Sequence, residues 1–196
     1  MLALDFEQIE NEIIRSNGLY PLHVPLGGLK TAKVKDRPAL VFQPEQGLSI
    51  PHSTLLDPDG KDWVVAMRVF VKQDGLLLSQ GNDDQGYAIF LKDGLIQAVV
   101  FNALSPIALK GKADAILTNH LNKWIWIELR IQNNLASLTI NRQRMATVPL
   151  NKPFAGENMH IRLGNDNEFP DFIKKSIEID GVGFSGALSA LKILRQ

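Results

Sequence analysis

From Trp63 onward the chain alternates between short runs of β-branched and aromatic residues and breaks rich in Gly, Asn and Asp. Such runs form strands. Such breaks form turns, because these residues accept the positive φ that a tight turn demands. The clearest break is Lys92-Asp93-Gly94, between Tyr87–Leu91 and Leu95–Phe101. Asp-Gly between two β-type runs predicts a hairpin. Asn133-Asn134 separates Trp124–Gln132 from Leu135–Ile140, and Asn141-Arg142-Gln143-Arg144 leads into Met145–Leu150. Further runs lie at Gly75–Gln80, at Met159–Gly164 and at a C-terminal strand through Leu194. A meander this long cannot bury a face as one sheet, so the pattern predicts an all-β fold of packed antiparallel sheets, a sandwich or a barrel.

Two runs indicate which surfaces are covered. In Trp63–Val71 one face carries Trp63, Val65, Met67, Val69 and Val71, and the other carries Val64, Ala66, Arg68 and Phe70. Both are largely apolar, which predicts a strand covered on both sides. In Trp124–Gln132 the alternation is clean: Ile125, Ile127, Leu129 and Ile131 form one face, and Trp124, Trp126, Glu128, Arg130 and Gln132 the other. That is a half-buried antiparallel strand. Helical signals are sparse. Phe6, Ile9, Ile13 and Ile14 have helix-like spacing, ended by Asn17-Gly18, which fits a short helix or an irregular crossover. Ala113 to Leu121 has room for one helical turn. No linker or internal repeat divides the chain, so residues 1–196 read as one domain, a size that a single sandwich reaches.

Lys plus Arg and Asp plus Glu are both 21, so no net charge draws the chain to nucleic acid or anionic lipid. The absence of cysteine excludes disulfides, thiolate nucleophiles and Cys-ligated zinc. No apolar run has transmembrane length. The opening Met1-Leu2-Ala3-Leu4-Asp5-Phe6-Glu7 lacks the basic start and apolar centre of a signal peptide.

Several segments, in order, resemble the laminin-G-like members of the concanavalin A-like superfamily. They are Leu4–Glu7, Pro38–Phe42 with Gly47–Pro51, Trp63–Val71, the Gly86–Val100 hairpin, Trp124–Ile140, Ile161–Asp166 and Phe184–Ile193. Asn141-Arg142 stands where the family usually has Asp-Gly. The resemblance implies a concanavalin A-like jelly-roll sandwich of two antiparallel sheets. It further implies an extracytoplasmic setting, with the signal peptide outside this sequence, and glycans or extracellular proteins as partners.

The resemblance also points to candidate sites. Calcium-binding relatives place an Asp just before the Tyr87 strand, here Asp83 or Asp84. Asn165, Asp166, Asn167 and Glu168 form a second oxygen-rich loop, expected at the same end of the sandwich. Ca²⁺ takes roughly six to eight oxygens from such groups, although Asn, Asp and Gly also make ordinary solvated turns. Glu178-Ile179-Asp180 is similar to the start of a laminarinase-type catalytic motif. Retaining hydrolysis needs a second carboxyl about 5 Å from the first. Val182 and Gly183 stand where the acid/base belongs, so the motif is incomplete. Trp126, with Glu128 and Arg130 on the same strand face, is a candidate ligand-binding group, since aromatic rings stack on sugar C–H faces. Trp124 reads as a core tryptophan. His23, His52, His120 and His160 lack metal-ligand spacing. These features lead to a non-catalytic glycan-binding or adhesion module, with no required cofactor beyond possible Ca²⁺. The alternatives are a divergent glycoside hydrolase or polysaccharide lyase and a protein-binding structural module.

Overall fold

The computed structural model describes residues 2–10, 13–17, 21–58, 60–82, 85–102, 105–110, 121–154, 160–164 and 183–195. They form two antiparallel sheets, as the resemblance implies, and a single 3-10 turn at Thr54–Leu56. The larger sheet has ten strands. Eight follow in the order β14 (Gln143–Pro149), β13 (Leu135–Ile140), β12 (Trp124–Gln132), β7 (Trp63–Val71), β16 (Gly186–Arg195), β1 (Leu2–Glu10), β2 (Ile13–Ser16) and β3 (His23–Pro25). The hairpin of β4 (Lys30–Val34) and β5 (Arg37–Phe42) joins it through a β5–β16 pairing. The smaller sheet has six strands, in the order β11 (Ser105–Lys110), β10 (Leu95–Asn102), β9 (Gln85–Lys92), β8 (Gly75–Gly81), β15 (His160–Gly164) and β6 (Gly47–Ile50).

Near the N-terminus the helix-like spacing is overridden. Leu2–Glu10 pairs with β16, and Ile13–Ser16 folds back on it as a strand. Leu4 and Ile14 both enter the core, so apolar spacing that suits a helix is met here by two short antiparallel strands. Apart from Leu121, which bridges to Val71, the segment 113–121 lies outside the described residues.

The core lies between the sheets. Ile125, Ile127, Leu129 and Ile131 of β12 and Trp63, Val65, Met67, Val69 and Val71 of β7 meet Tyr87, Ile89 and Leu91 of β9 and Ile96, Ala98 and Val100 of β10. A polar chain crosses this apolar layer. Trp63 Nε1 donates to the Tyr87 hydroxyl at 3.3 Å. That hydroxyl donates to Gln80 Oε1 at 2.7 Å, and Gln80 Nε2 donates to the Leu56 carbonyl at 2.8 Å. Every polar atom in the chain has a partner, which lets it be buried cheaply. Burial holds the Tyr87 phenol far above its ordinary pKa, so it stays neutral.

Both sheets also carry apolar groups on their outer faces. On the smaller sheet Leu76, Ala88, Phe90, Val99 and Phe101 form a separate buried cluster. On the larger sheet Phe70, Ala39 and Ala187 form a second cluster, with Val34 and Trp124 packed against it. The expectation that Trp63–Val71 is covered on both sides is met, since only Arg68 is less than fully buried.

Four hairpins turn on two residues of positive φ: Lys35-Asp36, Asp93-Gly94, Asn133-Asn134 and Asn141-Arg142. This backbone matches the right-handed strand twist. Carboxylates buttress two of them. Asp74 accepts from the amides of Asp93 (2.6 Å) and Gly94 (3.2 Å), and Asp62 accepts from Asn133 N at 3.1 Å. Asn141 Oδ1 accepts from Trp126 N at 2.9 Å, extending the β12–β13 ladder by one residue. Arg142, at φ 70°, holds a conformation that only glycine adopts without strain.

Arg142→Gly should therefore stabilise the protein by about 0.5–1 kcal/mol, read as a higher urea midpoint at unchanged slope. Tyr87→Phe should cost about 1–3 kcal/mol, because Trp63 Nε1 and Gln80 Oε1 lose their shared partner. The raised Tyr87 pKa also sets a sign. Its stabilising effect is complete below the unfolded value near pH 10 and is lost above it, by up to about 1.4 kcal/mol per pH unit. Equilibrium unfolding between pH 9 and 11.5 should show a steeper alkaline loss in the wild type than in Tyr87→Phe.

Candidate functional site

The outer face of the larger sheet is built by strand alternation. Since Ile125, Ile127, Leu129 and Ile131 point inward, Trp124, Trp126, Glu128, Arg130 and Gln132 point outward, all half-buried. Register supplies their neighbours. On β7, Trp126 stands opposite Arg68, Glu128 opposite Ala66 and Arg130 opposite Val64. On β13, Glu128 faces Thr139 and Arg130 faces Ser137, with Arg144 and Thr147 of β14 beyond them. On β16, Ala190 stands opposite Arg68 and Lys192 opposite Ala66. Residues far apart in the chain thus share one surface.

The Arg68 guanidinium lies over the Trp126 ring, 5.5 Å from its centroid. This contact fixes the indole on an open face and is worth roughly 0.5–1 kcal/mol at a partly exposed site. Glu128 is taken up by Arg130, whose Nε and Nη2 both lie 3.0 Å from Glu128 Oε1. The sequence-predicted group Trp126, Glu128 and Arg130 is therefore brought together on one face, and Glu128 is the carboxylate among the groups named there.

One end of this face is closed. The β4–β5 turn reaches across it. Val34 O accepts from Trp124 Nε1 at 3.2 Å, while Lys35 donates to the Asn122 carbonyl at 2.9 Å. Lys35 Nζ sits 5.0 Å from the Phe70 ring centroid, and Phe70 lies 5.6 Å from the Trp124 ring. The core assignment of Trp124 is thus corrected. It points away from the main core, on the same face as Trp126, and its burial comes from this hairpin.

A second group of ionisable residues lies elsewhere. His52 Nε2 is 3.1 Å from Asp57 Oδ2, and the His160 ring is 6.0 Å from that of His52. Arg195 Nη1 donates to the carbonyls of Thr54 (3.4 Å) and Asp57 (3.3 Å), which ties the C-terminal strand to this turn. Sequence inspection noted the histidines but not the His52–Asp57 pairing. Among the described residues, no three His, Asp or Glu side chains are arranged to hold a metal ion. His23 is exposed on β3, and His120 lies outside the described residues.

Asp83, Asp84, Asn165, Asp166, Asn167 and Glu168, and the Glu178-Ile179-Asp180 segment, also lie outside the described residues. The strands leading into the two acidic loops are described. Gly81 pairs with His160 at the start of β15, whereas Gly164 is that strand's last residue.

Sequence reasoning did not single out Arg68, Arg144, Lys192 or Thr139. Arg68 left one signal, as the charged residue in an otherwise apolar run. The others owe their place to pairings that no local pattern reveals.

No protein-family model matches the sequence, and no curated protein matches it. Solved structures do match the fold. The botulinum neurotoxin serotype D binding domain has a TM-score of 0.64 at 12% identity, covering 96% of this chain and 48% of that one. The CBM40 of the Ruminococcus gnavus IT-sialidase has a TM-score of 0.58 at 13% identity, covering 79% of this chain and 88% of that one. The same CBM40 bound to α2,3-sialyllactose has a TM-score of 0.57 at 13% identity, covering 81% and 90%. This chain spans about half the length of the toxin binding domains it matches. In architecture the chain is an all-β jelly-roll sandwich of two antiparallel sheets.

Proposed function

We propose that this chain is a non-catalytic, carbohydrate-binding module that works outside the cytoplasm, alongside enzymes that process extracellular polysaccharides. The observation that carries this reading is Trp126, a partly exposed indole held by Arg68 on a sheet face whose exposed groups are mainly polar. A partly exposed tryptophan offers a flat apolar surface to sugar C–H groups. Around it Glu128, Arg130, Thr139 and Thr147 supply the hydrogen-bond donors and acceptors that sugar hydroxyls require. The CBM40 bound to sialyllactose supports the same reading by fold likeness. Catalysis is disfavoured on this face, since its carboxylate, Glu128, is committed to Arg130 and has no acidic neighbour among the groups named. Arg68, Arg130, Arg144 and Lys192 on the same face disfavour a cation there. Binding at this face is therefore independent of calcium.

A glycan array with purified protein, followed by calorimetric titration of the best saccharide, tests the proposal. Trp126→Ala should weaken binding at least roughly tenfold, the scale of about 1.4 kcal/mol for a lost stacking contact. The thermal midpoint should stay near the wild-type value, because the ring is only half-buried. Chelator should leave the affinity unchanged. Saccharide binding that survives Trp126→Ala at full strength would place the site elsewhere.

A further inference from the structure

The chain as a whole is neutral, yet its charges are not evenly spread. Around Trp126 the outer face of the larger sheet gathers Arg68, Arg130, Arg144 and Lys192 against the single named carboxylate Glu128. That carboxylate is engaged by both forks of Arg130. Arg68, Arg144 and Lys192 have no acidic partner among the described residues. Arg68 is the more telling. Its guanidinium is half-buried and lies over an indole, 5.5 Å from the ring centroid, and no acceptor among the described residues takes its N–H groups. A guanidinium stacked this way keeps its edge available for a planar or tetrahedral oxyanion. Lys192 lies diagonally across the strand pair from Arg68, one residue pair further along the same face, within the reach of long side chains.

We infer that this face takes an acidic saccharide, with its carboxylate or sulfate between Arg68 and Lys192 and its sugar ring on Trp126. The inference rests on the sugar-binding reading of the face and adds a charge requirement to it. The donor set suits either anion. A carboxylate accepts two parallel N–H bonds from the guanidinium, and a sulfate presents oxygens to the guanidinium and the ammonium together. The Glu128–Arg130 pair beside them gives the remaining hydroxyls both an acceptor and a donor.

The test compares lactose, 3′-sialyllactose and 3′-sulfolactose by calorimetry at low and moderate salt, with polyglutamate as an anion lacking sugar. The expected result is binding of at least one acidic trisaccharide or sulfated disaccharide roughly tenfold or more tighter than lactose. That advantage should shrink as salt rises. Whichever of the two acidic sugars binds tighter distinguishes carboxylate from sulfate. Arg68→Gln should remove most of the advantage, and Lys192→Gln, at an exposed position, should remove part of it while leaving weak lactose binding and no folding defect. Equal affinity for lactose and both acidic sugars would overturn the charge requirement and leave the sugar-binding reading standing. No binding of any saccharide would overturn both, and polyglutamate binding as tight as the sugars would reduce the face to a general anion surface.

Discussion

The Trp63–Tyr87–Gln80–Leu56 chain fixes how the two sheets meet. Trp63 belongs to the larger sheet, Tyr87 and Gln80 to the smaller, and Leu56 to the 3-10 turn. Apolar contacts alone tolerate sliding, because one Val or Ile surface resembles another. Directional hydrogen bonds inside a low-dielectric layer do not. Once this chain is satisfied, β7 stands in a set relation to β8 and β9. Every strand paired to them inherits that position. Phe154, whose ring lies 5.9 Å from that of Tyr87, seals the same region.

With the inner faces committed, the outer faces differ in character. The smaller sheet buries Leu76, Phe90 and Phe101 on its outside. The larger sheet buries Phe70 beneath the β4–β5 hairpin and Val64 and Ala66 further along β7, while Trp126, Glu128 and Arg130 of β12 stay partly exposed. The hairpin turn at Lys35-Asp36 thereby does two jobs. It covers an apolar patch that would otherwise favour association, and it supplies a wall at one end of the candidate binding face.

Much of the fold was legible in residue order. Asp93-Gly94 and Asn133-Asn134 announced their hairpins, because few residues accept positive φ at both turn positions. The clean alternation of Trp124–Gln132 named the inward and outward residues correctly. The β4–β5 hairpin was not legible, since Lys35-Asp36 carries no turn signature, and its position over Phe70 is a long-range contact. The N-terminal strands were misjudged for a related reason. The spacing of Phe6, Ile9 and Ile13 suits a helix, and only the pairing of Leu2–Leu4 with β16 and of Ile9 and Glu10 with β2 makes the segment a strand. Of the site, Trp126, Glu128 and Arg130 were visible because they share one strand. Arg68 was visible only as an oddity.

The sequence by itself determined local matters: which residues turn, which alternate, and that a chain without cysteine and with abundant β-branched residues must bury its apolar surface between sheets. Those properties act over a few residues, where sterics and side-chain period suffice. Only the tertiary structure decided which side chains meet across strands. Arg68 from β7, Glu128 from β12, Arg144 from β14 and Lys192 from β16 become neighbours through register, and register depends on the whole packed core. Composition averages to zero charge, whereas the folded sheet separates the charges in space. A basic face around one tryptophan is therefore a property of the pairing and not of any stretch of sequence.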